Sequence, residues 1–330
     1  MTDTPNESNN QQATRLLFLH AQTPLHPGSG TALGTVDLPV QRERHTQWPV
    51  IPGSAQKGIL RDLCRERAAK LNSLNRQDAD KNEDIQAVFG PPAGSVDDDA
   101  NAHAGALSVT DARILAFPVR SLRGVFGWVT CPAVLERLNR DLDIANMDPV
   151  PISHFQIVKK GGIDPAGCLP KSPLLVEGDK LVLEEFEFTR KADIDITNMA
   201  NWIANHAVSH KATQERIKNS LVLLTDDDFT HFVKHATEIM ARIGLDYQTK
   251  TVKDGALFYQ EFLPPETIFY SLVLASNSRY EKKQQMNADA VLAHVADALQ
   301  ERNVLQIGGD ETTGKGLCLA RLTNGKGGVE

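Results

Sequence analysis

The sequence has few cysteines, no long apolar run and no excess of positive charge. Its four cysteines lie far apart, and none belongs to a C-x-x-C pair. A cysteine-based zinc site is therefore not expected. We expect free thiols and a location in the reducing cytoplasm. No apolar stretch approaches the ~20 residues that span a bilayer, so no membrane partner is expected. With 35 Lys and Arg against 42 Asp and Glu, the net charge of −7 argues against a generally cationic nucleic-acid binder, although a locally basic groove remains open.

The composition is that of a globular protein with a sizeable core. Of 330 residues, 41% are hydrophobic and 23% are charged, which excludes a disordered chain, a collagen and a coiled coil. Residues 1–13 are polar and are predicted to be a disordered leader. Residues 14–330 are predicted to form a single domain.

Apolar patterning predicts an α+β fold. Strands are predicted at 15–23, 106–119, 124–130, 181–188, 256–262, 268–275, 304–307 and 317–322. Helices are predicted from Ala55 with Ser54 as its cap, and at 132–144, 203–223, 228–243 and 288–302. This order indicates a ferredoxin-like core around an antiparallel sheet. The acidic stretch 77–103 is predicted to be a mobile loop, and the segment 149–181, rich in proline and glycine, a hairpin-like excursion.

A Gly-rich loop near the C-terminal end imitates a nucleotide-binding motif. Residues 309–315 fit G-x-x-x-x-G-K, but Gly316 stands where that motif needs Ser or Thr for magnesium. A strand pattern rather than a helix follows, so NTP hydrolysis is not expected. Two interpretations stay open: backbone N–H groups and Lys315 that approach a phosphodiester, or a flexible hairpin.

Two histidine pairs have the spacing of metal ligands on a helix, His206 with His210 and His231 with His235. Neither first histidine is followed by the glutamate of the H-E-x-x-H motif. Surface histidines are therefore the preferred interpretation.

The segment 26–61 combines glycines with a dense run of charges. Glycines let a backbone approach a ligand closely, and arginines bind phosphates. Lys57, Arg61 and Arg65 recur every four residues and form a basic stripe near a predicted helix start. The alternative is a solvated face paired with Asp62 and Glu66, and spacing alone favours it.

A long motif in this segment, G-T-V-D-L-P-V-Q-R-E-R-H-T-x-x-P-V-I-P-G-S-x-x-K-G-x-L-R, resembles that of a known family. The family is the backbone subunit of type III-B CRISPR effector complexes, the fourth subunit of the Cmr module, in the repeat-associated mysterious protein (RAMP) superfamily. Further matches follow in order along the chain, at 88–92, 108–112, 117–125, 183–186, 258–264, 305–309 and 314–316.

The resemblance implies an RNA-recognition-like ferredoxin palm with a protruding thumb hairpin and helical insertions. Copies would stack head to tail along CRISPR RNA, beside other Cmr-complex subunits. They would cut complementary target RNA at regular intervals in a reaction that depends on a divalent metal, with Mg²⁺ expected. The thumb is predicted at about 149–181, where Lys159, Lys160 and Lys171 would contact phosphates.

The resemblance also assigns site residues. Asp37 matches the cutting aspartate, either as general base or as a ligand of Mg²⁺, and an aspartate's low pKa favours the metal or positioning role. His26 and Glu261 are weaker candidates to assist. The predicted RNA-binding residues are Arg42, Arg44, Lys57, Arg61, Gly308, Gly309 and Lys315.

Three other functions agree with parts of the sequence. A non-catalytic guide-RNA-binding spine subunit is the main alternative, and the complete Asp37 motif favours the endoribonuclease over it. A repeat-cleaving ribonuclease would share the core but lack this motif. An NTPase is disfavoured by Gly316.

Overall fold

The computed structural model describes residues 12–31, 34–91, 103–151, 162, 164–280 and 286–323. Its strands are β1 (Ala13–Ala21), β2 (Val50–Ile51), β3 (Leu107–Val109), β4 (Ala112–Arg120), β5 (Phe126–Thr130), β6 (Asp164–Ala166), β7 (Lys180–Leu183), β8 (Phe186–Arg190), β9 (Leu221–Leu223), β10 (Glu238–Leu245), β11 (Val252–Phe262), β12 (Ile268–Ala275), β13 (Val304–Gln306) and β14 (Leu317–Leu322). Its α-helices are α1 (Gly53–Asn72), α2 (Arg76–Asp80), α3 (Glu83–Phe89), α4 (Pro132–Ile144), α5 (Thr197–Ala207), α6 (Lys211–Ser220), α7 (Asp226–His235) and α8 (Ala288–Glu301).

A large sheet of mostly antiparallel strands forms the centre, in the order β13-β14-β1-β12-β4-β5-β9, with β2 and β3 attached at its side. Only the β5–β9 pair within that order is parallel. β1 contributes the fully buried run Leu16–Leu19, and α1 and α8 contact each other while α8 also contacts β1, β12 and β14. The predicted α+β class with an antiparallel-rich sheet is confirmed.

The N-terminus of α1 is held differently from the prediction. The helix begins at Gly53, without a side-chain cap from the preceding residue. Instead, the Asp111 carboxylate accepts a 2.7 Å hydrogen bond from the Gly53 backbone N–H. Only glycine fits at this position, because a Cβ there would lie 2.3 Å from the Val109 carbonyl oxygen. The cap therefore comes from a distant residue, and Ser54 is exposed.

The acidic stretch predicted to be a mobile loop is partly helical. Asn75 and Asn82 accept hydrogen bonds from backbone N–H groups in the first turns of α2 and α3. Ile85 and Val88 of α3 are fully buried in the core. Burial of these two side chains stabilises the helix although the segment around it is acidic. Residues 92–102 of the stretch lie outside the described residues.

The bounds predicted for the helices 203–223 and 228–243 were wrong. The first is divided into α5 and α6, and its end is strand β9. The second stops at His235, and the following residues form β10, which pairs with β11 in a two-stranded hairpin. Along β10, exposed and half-buried side chains alternate with the period of two that a strand requires.

The predicted thumb segment is packed on the body where it is described. β6 pairs with β8, Gly167 bridges to Leu223, and Leu174 is fully buried. Residues 152–161 and 163 lie outside the described residues, and with them Lys159 and Lys160, while Lys171 is exposed. Among the described residues, an extended hairpin with an exposed apolar face is found elsewhere, in β10–β11.

That hairpin exposes apolar side chains on one face: Ile239, Ile243, Leu245, Val252, Leu257 and Tyr259. Tyr247, at the turn, is 84% exposed. Solvent-exposed apolar residues that adjoin in this way mark an interaction surface more often than an ordinary protein surface.

All four cysteines are buried free thiols. Burial raises the pKa of Cys64 and of Cys318 to about 12 and that of Cys168 to about 11. It also raises the pKa of Cys131, and Asp226 adds to the effect. None of the described helices has the length and apolar character to cross a membrane.

Candidate active site and nucleic-acid interface

The chain between β1 and β2 lies along the end of β11. Leu25 N donates to Leu263 O at 2.9 Å, and Leu38 N donates to Tyr259 O at 3.0 Å. The sequence predicted only irregular structure here because these bonds are isolated and have no repeating pattern. They place the residues around Asp37 at the base of the β10–β11 hairpin.

Asp37 is fixed by the backbone of β11. Its Oδ2 accepts a 2.7 Å hydrogen bond from the Tyr259 N–H. The side chain is half-buried, and Oδ1 has no hydrogen-bond partner among the described residues. The carboxylate is therefore oriented by one oxygen and presents the other.

Glu261 is occupied within the fold. It is 6% exposed, and its Oε2 accepts a 2.9 Å hydrogen bond from the Val40 N–H. Its Oε1 accepts a second from a terminal guanidinium nitrogen of Arg42, whose other terminal nitrogen donates to the carbonyl oxygens of Gln47 and Val233. The predicted catalytic helper Glu261 and the predicted RNA contact Arg42 thus hold each other, and they hold the Asp37 loop in place.

His26 is also buried at this site, at 7% exposure. Its Nδ1 lies 2.7 Å from the Glu261 carbonyl oxygen, which can only accept, so Nδ1 carries the proton and Nε2 is left as an acceptor in the neutral ring. The imidazole packs on Phe262, with ring centroids 5.5 Å apart.

The Gly-rich loop closes against His26. Gly309 N donates to His26 O at 3.1 Å. Gly308 has a φ of +80°, and a Cβ there would lie 2.2 Å from the same oxygen, so only glycine fits. Lys315 Nζ lies 5.4 Å above the Phe262 ring. The structure therefore brings the predicted RNA-binding loop and the predicted catalytic residues into one site.

Sequence reasoning missed three residues of this site. Asp310 Oδ2 accepts a 2.6 Å hydrogen bond from Gln260 Nε2, and Asp310 Oδ1 lies 3.1 Å from a guanidinium nitrogen of Arg242. Gln260 adjoins the recognised Glu261. Arg242 gave no signal because its segment was interpreted as a helix.

The basic stripe on α1 divides into three cases. Lys57 is half-buried, and burial, together with the nearby charge of Arg61, lowers its pKa. Arg61 is bound to Asp80 Oδ1 and to the carbonyl oxygens of Gly90 and Pro91. Arg65 pairs with Asp62, as the solvated-face alternative expected. Lys57 is thus the member of the three without an acidic partner among the described residues.

A groove of about 480 Å³ separates α1 from the Gly-rich loop. Gly58 and Asp62 line it from α1, and Gly308 and Glu311 line it from the loop. Of the predicted RNA-binding residues, Gly308 lines this groove, whereas Lys57 precedes Gly58 on α1 and is not among the lining residues.

Arg44 is exposed to solvent on a turn whose neighbouring residues are anchored by hydrogen bonds. The Glu43 carboxylate accepts two hydrogen bonds from Arg137, and Trp48 Nε1 donates to Thr230 Oγ1 at 2.9 Å. Burial opposes the charged form of Glu43, but the hydrogen bonds from Arg137 and Thr46 outweigh it and lower its pKa. Arg44 itself is exposed, with no acidic partner among the described residues.

The described residues contain no ready-made cluster of metal ligands. No group of three or more His, Cys, Asp or Glu side chains among the described residues could hold an ion. Near Asp37, the carboxylates of Glu261 and Asp310 are already hydrogen-bonded to side chains of the fold. Asp37 Oδ1 is a carboxylate oxygen there without a partner among the described residues. Because Mg²⁺ can be held by one carboxylate together with substrate phosphates and water, the Mg²⁺ stays a prediction.

The histidine pairs do not change this conclusion. His206 lies in the last turn of α5, and His210 directly precedes α6, so the two do not share a helix. His231 and His235 do lie together on α7, with ring centroids 4.8 Å apart.

Comparison with known proteins covers nearly the whole chain. The family model of the RAMP superfamily matches residues 18–318. A curated relative from Pyrococcus furiosus, named CRISPR system Cmr endoribonuclease Cmr4, is 39% identical over 94% of this chain and 97% of its own length. The crystal structure of oligomeric Cmr4 from that organism superimposes with a TM-score of 0.66 at 31% identity, over 94% of this chain and 99% of its own. The cryo-EM structure of the type III-B Cmr-beta bound to cognate target RNA contains a chain of the same fold, with a TM-score of 0.64 at 23% identity over 94% and 96%.

Proposed function

The chain belongs to the RAMP superfamily, and from that premise we propose that it is the backbone subunit of a type III-B CRISPR effector complex. In this role it assembles with further copies of itself and other Cmr subunits along CRISPR RNA, in the cytoplasm, and cuts complementary target RNA. The observation that carries the proposal is the gathering of Asp37, His26 and the Gly-rich loop at the base of one hairpin.

The central sheet serves as the palm. The guide RNA passes between α1 and the Gly-rich loop, where Gly58 and Gly308 line a groove and let the backbone come close to phosphates. Lys57 on the helix and Lys315 on the loop supply positive charge beside it. Arg44 adds a contact from the tip of its anchored turn. Arg42 and Arg61 act indirectly, since their guanidinium groups bind atoms of the fold.

Asp37 acts on the target strand. RNA cleavage at a 2′-hydroxyl requires removal of its proton and attack of that oxygen on the adjacent phosphorus. The bond from phosphorus to the 5′-oxygen then breaks, and the departing 5′-oxygen takes up a proton from solvent. The free oxygen of Asp37 accepts the hydroxyl proton or orients the hydroxyl for attack. The ammonium of Lys315 stabilises negative charge that develops on the phosphate. Metal dependence stays part of the proposal: Asp37 Oδ1 would hold a Mg²⁺ ion together with the RNA phosphate and water, and the ion would stabilise negative charge on that phosphate.

The β10–β11 hairpin serves as the thumb. Its exposed apolar face offers stacking and wedge residues that can separate neighbouring bases, and the Tyr259 N–H at its base donates a hydrogen bond to Asp37. One hairpin per subunit would place one cut per subunit, which accounts for regular spacing.

A non-catalytic spine subunit is the alternative. The test is to reconstitute the complex with a guide and incubate it with end-labelled complementary RNA. A ladder of fragments at a constant interval supports the endoribonuclease. Intact RNA, bound with normal affinity in the presence of magnesium, would favour the spine.

A further inference from the structure

One carboxylate ties the Gly-rich loop to both strands of the β10–β11 hairpin. Asp310 Oδ2 accepts the hydrogen bond from Gln260 on β11, and Asp310 Oδ1 faces the guanidinium of Arg242 on β10. Gln260 is 5% exposed, so its hydrogen bond to Asp310 is largely shielded from water. The side chains of Arg242 and Asp310 are 27% and 23% exposed, so their ion pair is partly solvated.

The backbone of Asp310 is shaped for this role. Its φ is +65°, in the left-handed region that aspartate and asparagine tolerate better than most residues. Its carbonyl oxygen accepts hydrogen bonds from the N–H groups of Thr313 and Lys315, which closes the turn that carries Lys315. The same residue therefore sets the shape of the loop and its attachment to the hairpin.

The residue of β11 that binds Asp310 is next to the residue that binds Asp37. Three consecutive residues of β11 each hold a different part of the site. Tyr259 donates to Asp37, Gln260 donates to Asp310, and Glu261 accepts from Val40. A shift of β11 relative to the Gly-rich loop would thus move Asp37 relative to an RNA held by that loop.

We propose that Asp310 is a positioning residue for RNA cleavage, which fixes the hairpin base and the Gly-rich loop in one register through Gln260 and Arg242. The inference rests on the proposed function. Asp310 does not touch the reacting atoms, since both oxygens of its carboxylate face side chains of the fold. Loss of the Asp310 carboxylate should slow RNA cutting and make the cut positions less precise, while RNA binding is preserved.

The test uses the reconstituted complex with guide and labelled complementary RNA, under single-turnover conditions. Asp310→Gly keeps a backbone that tolerates positive φ and removes the carboxylate. Asp310→Asn keeps an acceptor for Gln260 and removes the charge that faces Arg242. A misplacement of about 1 Å costs on the order of 100-fold in rate, so we expect a loss of about 10- to 100-fold for Gly and a smaller loss for Asn. Cuts should spread to neighbouring phosphodiesters, with the affinity for target RNA unchanged.

Two comparisons separate positioning from general damage. Asp193→Asn makes the same charge change at an exposed residue that has no partner among the described residues, and should cut like the parent. Gln260→Leu should slow cutting as well, and the double variant with Asp310→Gly should lose less than the product of the two single losses, because the residues act as a unit. If Asp310→Gly does not assemble, the Asn variant is judged by the same criteria.

The parental rate and cut positions in both Asp310 variants would overturn the inference. Failure of the proposed function has a different signature, namely target RNA that stays intact in the parental complex although it is bound with normal affinity. An inactive Asp37→Asn together with an unaffected Asp310→Gly would reject the positioning role alone.

Discussion

The carboxylate of Asp37 accepts a hydrogen bond from the backbone N–H of Tyr259, 222 residues further along the chain. A backbone donor holds any aspartate in the same way, whatever the side chain at position 259. The orientation of Asp37 therefore depends on the path of β11 and not on the identity of a partner side chain.

Asp37→Asn should abolish target cutting and leave guide and target binding nearly intact. Removal of a general base costs about a hundredfold to ten-thousandfold in rate. Asparagine keeps the acceptor for Tyr259 N–H, so the loop should stay in place, and binding rests on many phosphate contacts and base pairs. Single-turnover cleavage and filter binding measure the two effects. An asparagine variant with most of the parental rate would assign Asp37 a hydrogen-bonding role only.

Lys57→Ala should weaken guide binding without loss of stability. A phosphate contact to a single strand contributes about −0.7 to the slope of log K against log salt, and the variant should lose that amount. Lys211→Ala is the matched control, because it makes the same change at an exposed lysine of α6 that does not line the groove. A Lys57→Ala variant with the parental affinity and salt slope would show that the groove does not carry the guide past α1.

Arg61→Ala should behave differently from Lys57→Ala. Its guanidinium joins α1 to Asp80 and to the carbonyl oxygen of Gly90, so its removal leaves buried acceptors unpaired. We expect a loss of about 1 to 3 kcal/mol in the free energy of unfolding. Urea denaturation of both variants measures this, and equal stabilities would contradict the structural role of Arg61.

Glu43→Gln should lower stability at neutral pH and have no effect in acid. The pKa of Glu43 is lowered in the folded protein, so its contribution is present above its ordinary value of 4.5 and is lost as the pH falls below that value. At pH 7 we expect a difference of about 1 to 3 kcal/mol from the parent, because charge-assisted hydrogen bonds to Arg137 are weakened. Denaturation at a series of pH values measures the difference, and a constant gap down to pH 3 would contradict it.

Ile243→Asn together with Leu257→Asn should leave the isolated subunit as stable as the parent and impair cutting. Both side chains are more than half exposed, and exposed substitutions change stability by about 0.5 kcal/mol or less. Fragment ladders from reconstituted complexes should lose intensity at every interval. Normal ladders would show that the apolar face of the hairpin is not used on the target.

The sequence predicted most elements whose pattern is local. Helices 132–144 and 288–302, the last two strands and the Gly-rich loop between them were placed almost to the residue. Each has its own periodicity, and Pro132, Asn287 or a glycine stands at its boundary. The β10–β11 hairpin was missed because apolar residues spaced at 239, 240, 243 and 245 satisfy both a helix and a strand, and pairing with β11 decides between them.

Within the site, the residues of the Asp37 motif could be found from the sequence, but their partners could not. Arg42 was expected to face RNA, and its real acceptors are Glu261 and the Val233 carbonyl oxygen, about 200 positions away. Asp80 and Asp310 were hidden for the same reason. Long-range ion pairs leave no periodic trace in a chain, so the choice between a free and an occupied cation requires the fold.

Because all four native thiols are buried, they should not react with a labelling reagent, and a single introduced cysteine can be labelled selectively. At neutral pH, thiols with a pKa near 11 or 12 hold almost no reactive thiolate, and the core also shields them from reagents. A cysteine introduced at the exposed hairpin tip, as in Tyr247→Cys, would then take up a maleimide fluorophore selectively. Its emission would follow the approach of the hairpin to labelled RNA in real time, with the native cysteines left in place.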